Sequence, residues 1–128
     1  VAPRIWWIAG CLIGLMAVAG GAFGAHGLRD SVTAARLETW NTGAEYAMYH
    51  AIALLSVGWL GAQKSGWDVD LAGAMLATGV GLFTGSLWLL VLLDVPALGA
   101  ITPLGGTALL VGWLLCARAG WRRLGPRP

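Results

Sequence analysis

The stretch IWWIAGCLIGLMAVAGGAFGA, residues 5–25, decides the fold, because 21 consecutive residues pass without a single charged side chain. An α-helix of about 20 apolar residues spans the roughly 30 Å hydrocarbon core of a bilayer. The apolar part of a secretory leader runs to only about 7–15 residues. The stretch is therefore read as a first transmembrane helix and not as a cleavable leader.

The rest of the chain has the same character. Of 128 residues 58% are hydrophobic and only 11% charged, with 20 glycines and 8 tryptophans. A soluble domain carries about a quarter of its residues charged, so water alone does not solvate this surface. Charged residues divide the remainder into three further apolar windows, 46–63, 71–93 and 95–117. Pro103 suits a first helical turn, so the fourth helix is expected to start near Thr102. The expected fold is all-α: one transmembrane domain over 1–128, a four-helix bundle with helices at about 5–25, 47–63, 71–93 and 102–121. Residues 94–101 are left as a connecting loop.

The polar stretch DSVTAARLETWNTGAE, residues 30–45, interrupts this pattern. Asp30 or Ser31 is placed to cap a helix, and Val32, Ala35 and Trp40 lean to one face. A short amphipathic helix on the membrane surface, about 31–44, is expected, leading through Gly43 into the second span.

Lys and Arg counts near span ends set orientation. One side holds Arg4, Lys64, Arg118, Arg122, Arg123 and Arg127, and the other Arg29 and Arg36. Both termini are thus expected in the cytoplasm. Trp6, Trp7, Trp59, Trp67, Trp88, Trp113 and Trp121 fall near expected span ends and read as an interfacial belt.

Glycines four apart let helix backbones approach closely in lipid. Gly10 and Gly14, Gly20 and Gly24, and Gly81 and Gly85 are the expected packing positions. Thr84, Ser86 and Thr107 are read as bonding helix to helix or back to a carbonyl. Cys11 and Cys116 stand in separate apolar runs, without a CxxC pair, and read as small apolar fillers. Asp94 reads as an interfacial loop residue.

Polar groups at membrane depth are where function is sought first. His26 ends the first span and His50 starts the second, so both are expected at the outer face. Glu45 and Tyr49 share a helical face, as do Tyr46 and His50, so Glu45, Tyr46, Tyr49, His50 and His26 form one candidate polar cluster. Three readings stay open for it: hydrogen bonds that fix how two helices meet, imidazole ligation of a haem, pigment or metal, or a proton relay through His26, Glu45 and His50. No GxSxG, HExxH, phosphate-loop or dinucleotide motif is present. No catalytic residue, metal or cofactor is assigned. Nucleic acid is excluded by scattered basic residues and a net charge of +2, and no soluble small-molecule substrate is evident.

GAFGAHGL at 21–28, TWNTGAEYAMYHAIALL at 39–55, GLFTGSLWLLVL at 81–92 and ITPLGGTALLVGWLLCA at 101–117 together resemble the bacterial domain-of-unknown-function 423 family, akin to transmembrane protein 256. The resemblance covers nearly the whole chain. It implies a small four-helix protein of the bacterial inner membrane, features His26 and His50 in its pattern, and supplies no activity. The expected role is a non-enzymatic accessory subunit, in contact with lipid and packing on other membrane subunits of a respiratory or photosynthetic type of complex. The alternative is a histidine-based cofactor module at the outer face.

Overall fold

The computed structural model describes residues 1–126; Arg127, counted above for orientation, lies outside the described residues. Four long helices make up most of the described residues: α1 (Pro3–Phe23), α2 (Ala34–Gln63), α3 (Trp67–Leu93) and α4 (Thr102–Arg123). Pro3 and Pro103 occupy first turns, where the missing N–H costs no hydrogen bond. α1 continues into a π-turn, Gly24–Leu28, and a 3-10 turn, Pro96–Ala100, precedes α4. Asp94 closes α3 in the left-handed region at φ 53°, and its carboxylate accepts from Arg36 Nη2 at 3.1 Å.

Among the described residues three stretches are long and apolar enough to cross a membrane: Pro3–Leu28, Trp67–Leu93 and Pro96–Arg123. The expected surface helix and second span are one continuous helix, α2, of 30 residues. At 1.5 Å per residue it is about 45 Å long. Its first half is polar, which sets it apart from the other three helices. The cap also differs from expectation: Thr33 Oγ1 accepts the Arg36 amide at 3.2 Å, while Ser31 Oγ donates to the Gly27 carbonyl. Gly43 makes no break, because it lies against Trp88 and the helix ladder runs through it.

α2 and α3 form the centre, with α1 packed on α2 and α4 on α3. Leu54, Val57, Val69, Leu76 and Val80 are buried between them. In lipid such helices gain little from burying apolar area, so close packing and interhelical hydrogen bonds hold them. Glycine supplies the close packing. A Cβ at Gly10 would stand 2.7 Å from the Ala51 carbonyl oxygen, and one at Gly58 3.0 Å from the Trp7 nitrogen. Trp40 Nε1 donates to the Gly20 carbonyl at 2.7 Å, Thr84 Oγ1 to the Gly43 carbonyl at 2.8 Å, and Trp88 Nε1 to the Trp40 carbonyl at 3.0 Å. At one end of the bundle Arg123 forms a two-pronged ion pair with Asp68 and also donates to the Lys64 carbonyl.

These contacts set the register. Gly24 meets Trp40 and Asn41, Gly14 meets Ala51, Gly58 meets Trp7, Gly61 meets Val69, Gly43 meets Trp88, Gly79 meets Leu109, and Gly112 meets Leu76. Arg4, Asp70 and Arg118 therefore share one level. About 20 residues farther along each helix lie the π-turn, Trp40 and Leu90.

Candidate functional site

The register moves His50 from where the sequence suggested. Its neighbour Ala51 meets Gly14, and its partner Tyr46 stacks on Phe83. His50 is thus at mid-height in the bundle and not at one face. The difference arises because Glu45, read from sequence, marks the start of the span, while α2 enters the bundle more than a turn earlier, at Trp40.

His50 is buried, and both ring nitrogens are engaged. Nδ1 meets the carbonyl oxygen of Tyr46, one turn earlier, and Nε2 lies 3.0 Å from the Trp113 indole nitrogen. A carbonyl only accepts and an indole N–H only donates. The ring is therefore neutral, with its proton on Nδ1 and Nε2 accepting from Trp113. The tautomer follows from the partners. Either protonation or metal ligation at Nε2 requires Trp113 to let go.

This arrangement gives a direct test. Nitrogen NMR of labelled protein at neutral pH is expected to find His50 protonated at Nδ1 alone. Trp113→Phe leaves a buried acceptor unpaired and is expected to cost about 1–3 kcal/mol. A proton on Nε2 in the unmodified protein would contradict the geometry.

The expected cluster divides into two parts. Tyr46, Tyr49 and His50 lie together, with ring centroids 5.9 Å apart for the tyrosine pair and 6.1 Å for Tyr46 and His50. With Leu109 and Trp113 they line an open groove of about 390 Å³ between α2 and α4. His26 stands elsewhere. It is exposed in the π-turn, which meets α2 near Trp40 and Asn41, about 13 Å along the helix from His50. The two histidines do not meet, so the relay through both is not assembled. Glu45 lies on α2 between them, exposed, with no hydrogen-bond or ion-pair partner among the described residues.

The glycines divide likewise. Gly10, Gly20 and Gly24 are packed against Ala51, Trp88 and Trp40, and Gly14 makes an ordinary contact with Ala51. Gly81 and Gly85 have nothing within 4 Å of where a Cβ would be. The tight α3–α4 contact uses Gly79, Gly105 and Gly112; a search for four-residue pairs passes over these, since Gly105 and Gly112 are seven apart.

Trp7, Trp59, Trp67 and Trp121 are exposed near helix ends, all at the Arg4, Asp70 and Arg118 end of the bundle. Trp6 is buried, Trp88 stacks on Trp40 at 4.6 Å, and Trp113 holds His50. Trp6 and Trp88 serve the interior, whereas Trp113 is itself exposed and only its indole N–H reaches in to His50. Ser86 bonds Thr102 Oγ1, and Thr107 donates back to the Pro103 carbonyl. Cys11 and Cys116 are both free thiols. Among the described residues no group of three His, Cys, Asp or Glu is placed to hold a metal.

An all-helical chain, apolar along three spans and joined by glycine contacts and indole hydrogen bonds, defines a small helical membrane protein. It belongs to the family described as protein of unknown function DUF423, whose model matches residues 20–106. It is 41% identical over 122 residues to the UPF0382 membrane protein YwdK of Bacillus subtilis, covering 94% of this chain and 99% of that one. It is also 41% identical over 112 residues to the UPF0382 membrane protein SSP2132 of Staphylococcus saprophyticus, covering 88% and 92%. A Staphylococcus aureus relative, UPF0382 membrane protein SAB0533, is 38% identical over 122 residues, covering 95% and 99%. No solved structure matches.

Proposed function

We propose that this chain is a four-span protein of the bacterial cytoplasmic membrane, with both termini inside, that works without catalysis as an accessory subunit of a larger membrane complex. α2 is the fourth span. If the bilayer core covers about 20 residues per helix, its edges fall at Arg4, Asp70 and Arg118 on one side and near the π-turn, Trp40 and Leu90 on the other. Arg4, Lys64, Arg118, Arg122 and Arg123 then share the first side, and Arg29 and Arg36 the second, which supports a cytoplasmic first side.

One observation carries the subunit reading. Among the described residues, Glu45 is the only one of the Asp, Glu, Lys and Arg types between those edges, and it is exposed on α2. It stands about five residues, or 8 Å, inside the outer edge. A charged side chain at such depth is costly in lipid and is found against protein or water. An outward carboxylate supports a covered face.

A tagged protein extracted gently from native membranes is expected to bring a larger integral partner in fixed stoichiometry. A lone monomer under several mild detergents would overturn the reading. A visible absorption band lost in His50→Ala would favour the cofactor alternative instead, which at present must displace the Trp113 hydrogen bond.

A further inference from the structure

The outward face of α2 is a continuous stripe: Glu38, Thr42, Glu45, Tyr49, Ile52, Ser56 and Trp59 recur at three- and four-residue spacing. Thr42 is half-buried and the others are exposed. Resting on the subunit reading above, we infer that this stripe is the docking face, and that its occupant is a transmembrane helix of a different protein carrying a basic side chain level with Glu45.

Symmetry removes a second copy from consideration. Two copies in one membrane share orientation and depth, so a two-fold pairing through α2 sets Glu45 against Glu45 and Glu38 against Glu38. Like charges at that depth repel strongly. Unsymmetrical contacts between copies do no better. The residues level with Glu45 elsewhere in the chain lie near Gly20 on α1, Thr84 on α3 and Leu104 on α4, and none is basic. Every Lys and Arg of the described chain lies at the edges of the bilayer core or beyond them. Among the described residues no Lys or Arg therefore stands opposite Glu45, in one copy or several.

Charge complementarity then specifies the partner. A Lys or Arg opposite Glu45 offsets the desolvation of both, and a pair buried at such an interface is strongly weakened when one member is removed. Thr42 and Tyr49, a helical turn to either side of Glu45, each add a hydroxyl, that of Thr42 donating to the Glu38 carbonyl, while Ile52 and Trp59 continue the stripe as an apolar strip. The outer surfaces of α1 and α4 near this depth, at Leu15, Val18, Leu104 and Leu110, are apolar, and lipid suffices for them.

A photo-reactive phenylalanine analogue at Tyr49, and at Leu15 and Leu114 for comparison, tests this in native membranes. The Tyr49 position is expected to cross-link one integral protein other than this chain, at a segment with Lys or Arg within a helical turn of the adduct. Glu45→Gln is expected to cut that yield at least about tenfold while leaving detergent-extracted protein folded, and exchanging the charges between Glu45→Lys and the partner's base is expected to restore it. Adducts to a second copy, adducts to lipid alone, or an unchanged yield in Glu45→Gln would overturn the inference. A partner captured only from Leu15 or Leu114 would overturn it and leave the subunit reading standing. No protein adduct from any of the three positions would remove both.

Discussion

Replacing Gly105 by leucine is expected to abolish a stable bundle. A Cβ at this position would lie 2.5 Å from the Phe83 nitrogen, 2.9 Å from the Phe83 Cα and 2.9 Å from the Gly79 carbonyl oxygen. All three are backbone atoms of α3, so no rotamer change makes room; the helices must separate. Separation would also break the fit of Leu109 over Gly79 and of Leu76 over Gly112. Overpacking a close-packed core costs about 1–3 kcal/mol where side chains yield, and here the cost is expected to exceed about 3 kcal/mol. That is a large part of the roughly 5–15 kcal/mol by which proteins are stable. Gly81→Ala and Gly85→Ala are the controls. Both positions border open space, and helix propensity alone favours alanine by about 1 kcal/mol. Thermal unfolding in detergent, followed by circular dichroism and size exclusion, should lose the Gly105→Leu protein and retain or raise the midpoints of the other two.

The second large effect is expected at Arg123. Its guanidinium donates to both oxygens of Asp68, at 2.8 and 3.1 Å, and to the Lys64 and Ala119 carbonyls. The pair is almost wholly buried, with side-chain exposures of 5% and 4%. It ties the end of α4 to the turn between α2 and α3. Removing one partner leaves an uncompensated buried charge, which costs about 3–5 kcal/mol. Arg123→Met, which keeps most of the stem, is expected to destabilise by that amount, as is Asp68→Leu. The double variant Asp68→Leu with Arg123→Met is expected to recover much of the loss, because no charge is left unpaired. Additive losses in the double variant would mean that the pair is not coupled as described.

The all-helical character, and three of the helices, were legible because their signal is long. Runs such as 71–93 carry no charge, and proline marks the start of α4. α2 was legible only in part. Its polar N-terminal half reads as a surface segment, and Glu45 reads as the edge of a span, because a sequence does not tell a charge at the membrane surface from one facing sideways within a helix. Only the register, set by Gly24 on Trp40 and Gly43 on Trp88, shows how early α2 enters the bundle. His50 was legible as a polar residue worth attention. Its level and its tautomer were not, since Trp113 lies 63 residues away and looked like a belt residue. The pairing of Arg123 with Asp68, 55 residues apart, left no local trace either. The glycines repeat the point: four-residue spacing found Gly10, Gly20 and Gly24 in close contact and also selected Gly81 and Gly85, which touch nothing.

Whether α2 crosses the membrane is the claim on which the depth of Glu45 and His50 rests. It is tested by placing single cysteines at Ser31 and Ser65, which flank α2, in a background where Cys11 and Cys116 are alanine. A membrane-impermeant maleimide is applied to intact cells and then to permeabilised ones. Labelling of Ser31→Cys from outside, with Ser65→Cys reacting only after permeabilisation, is the predicted result. Reaction of both from the same side would place α2 along the surface and contradict the four-span bundle.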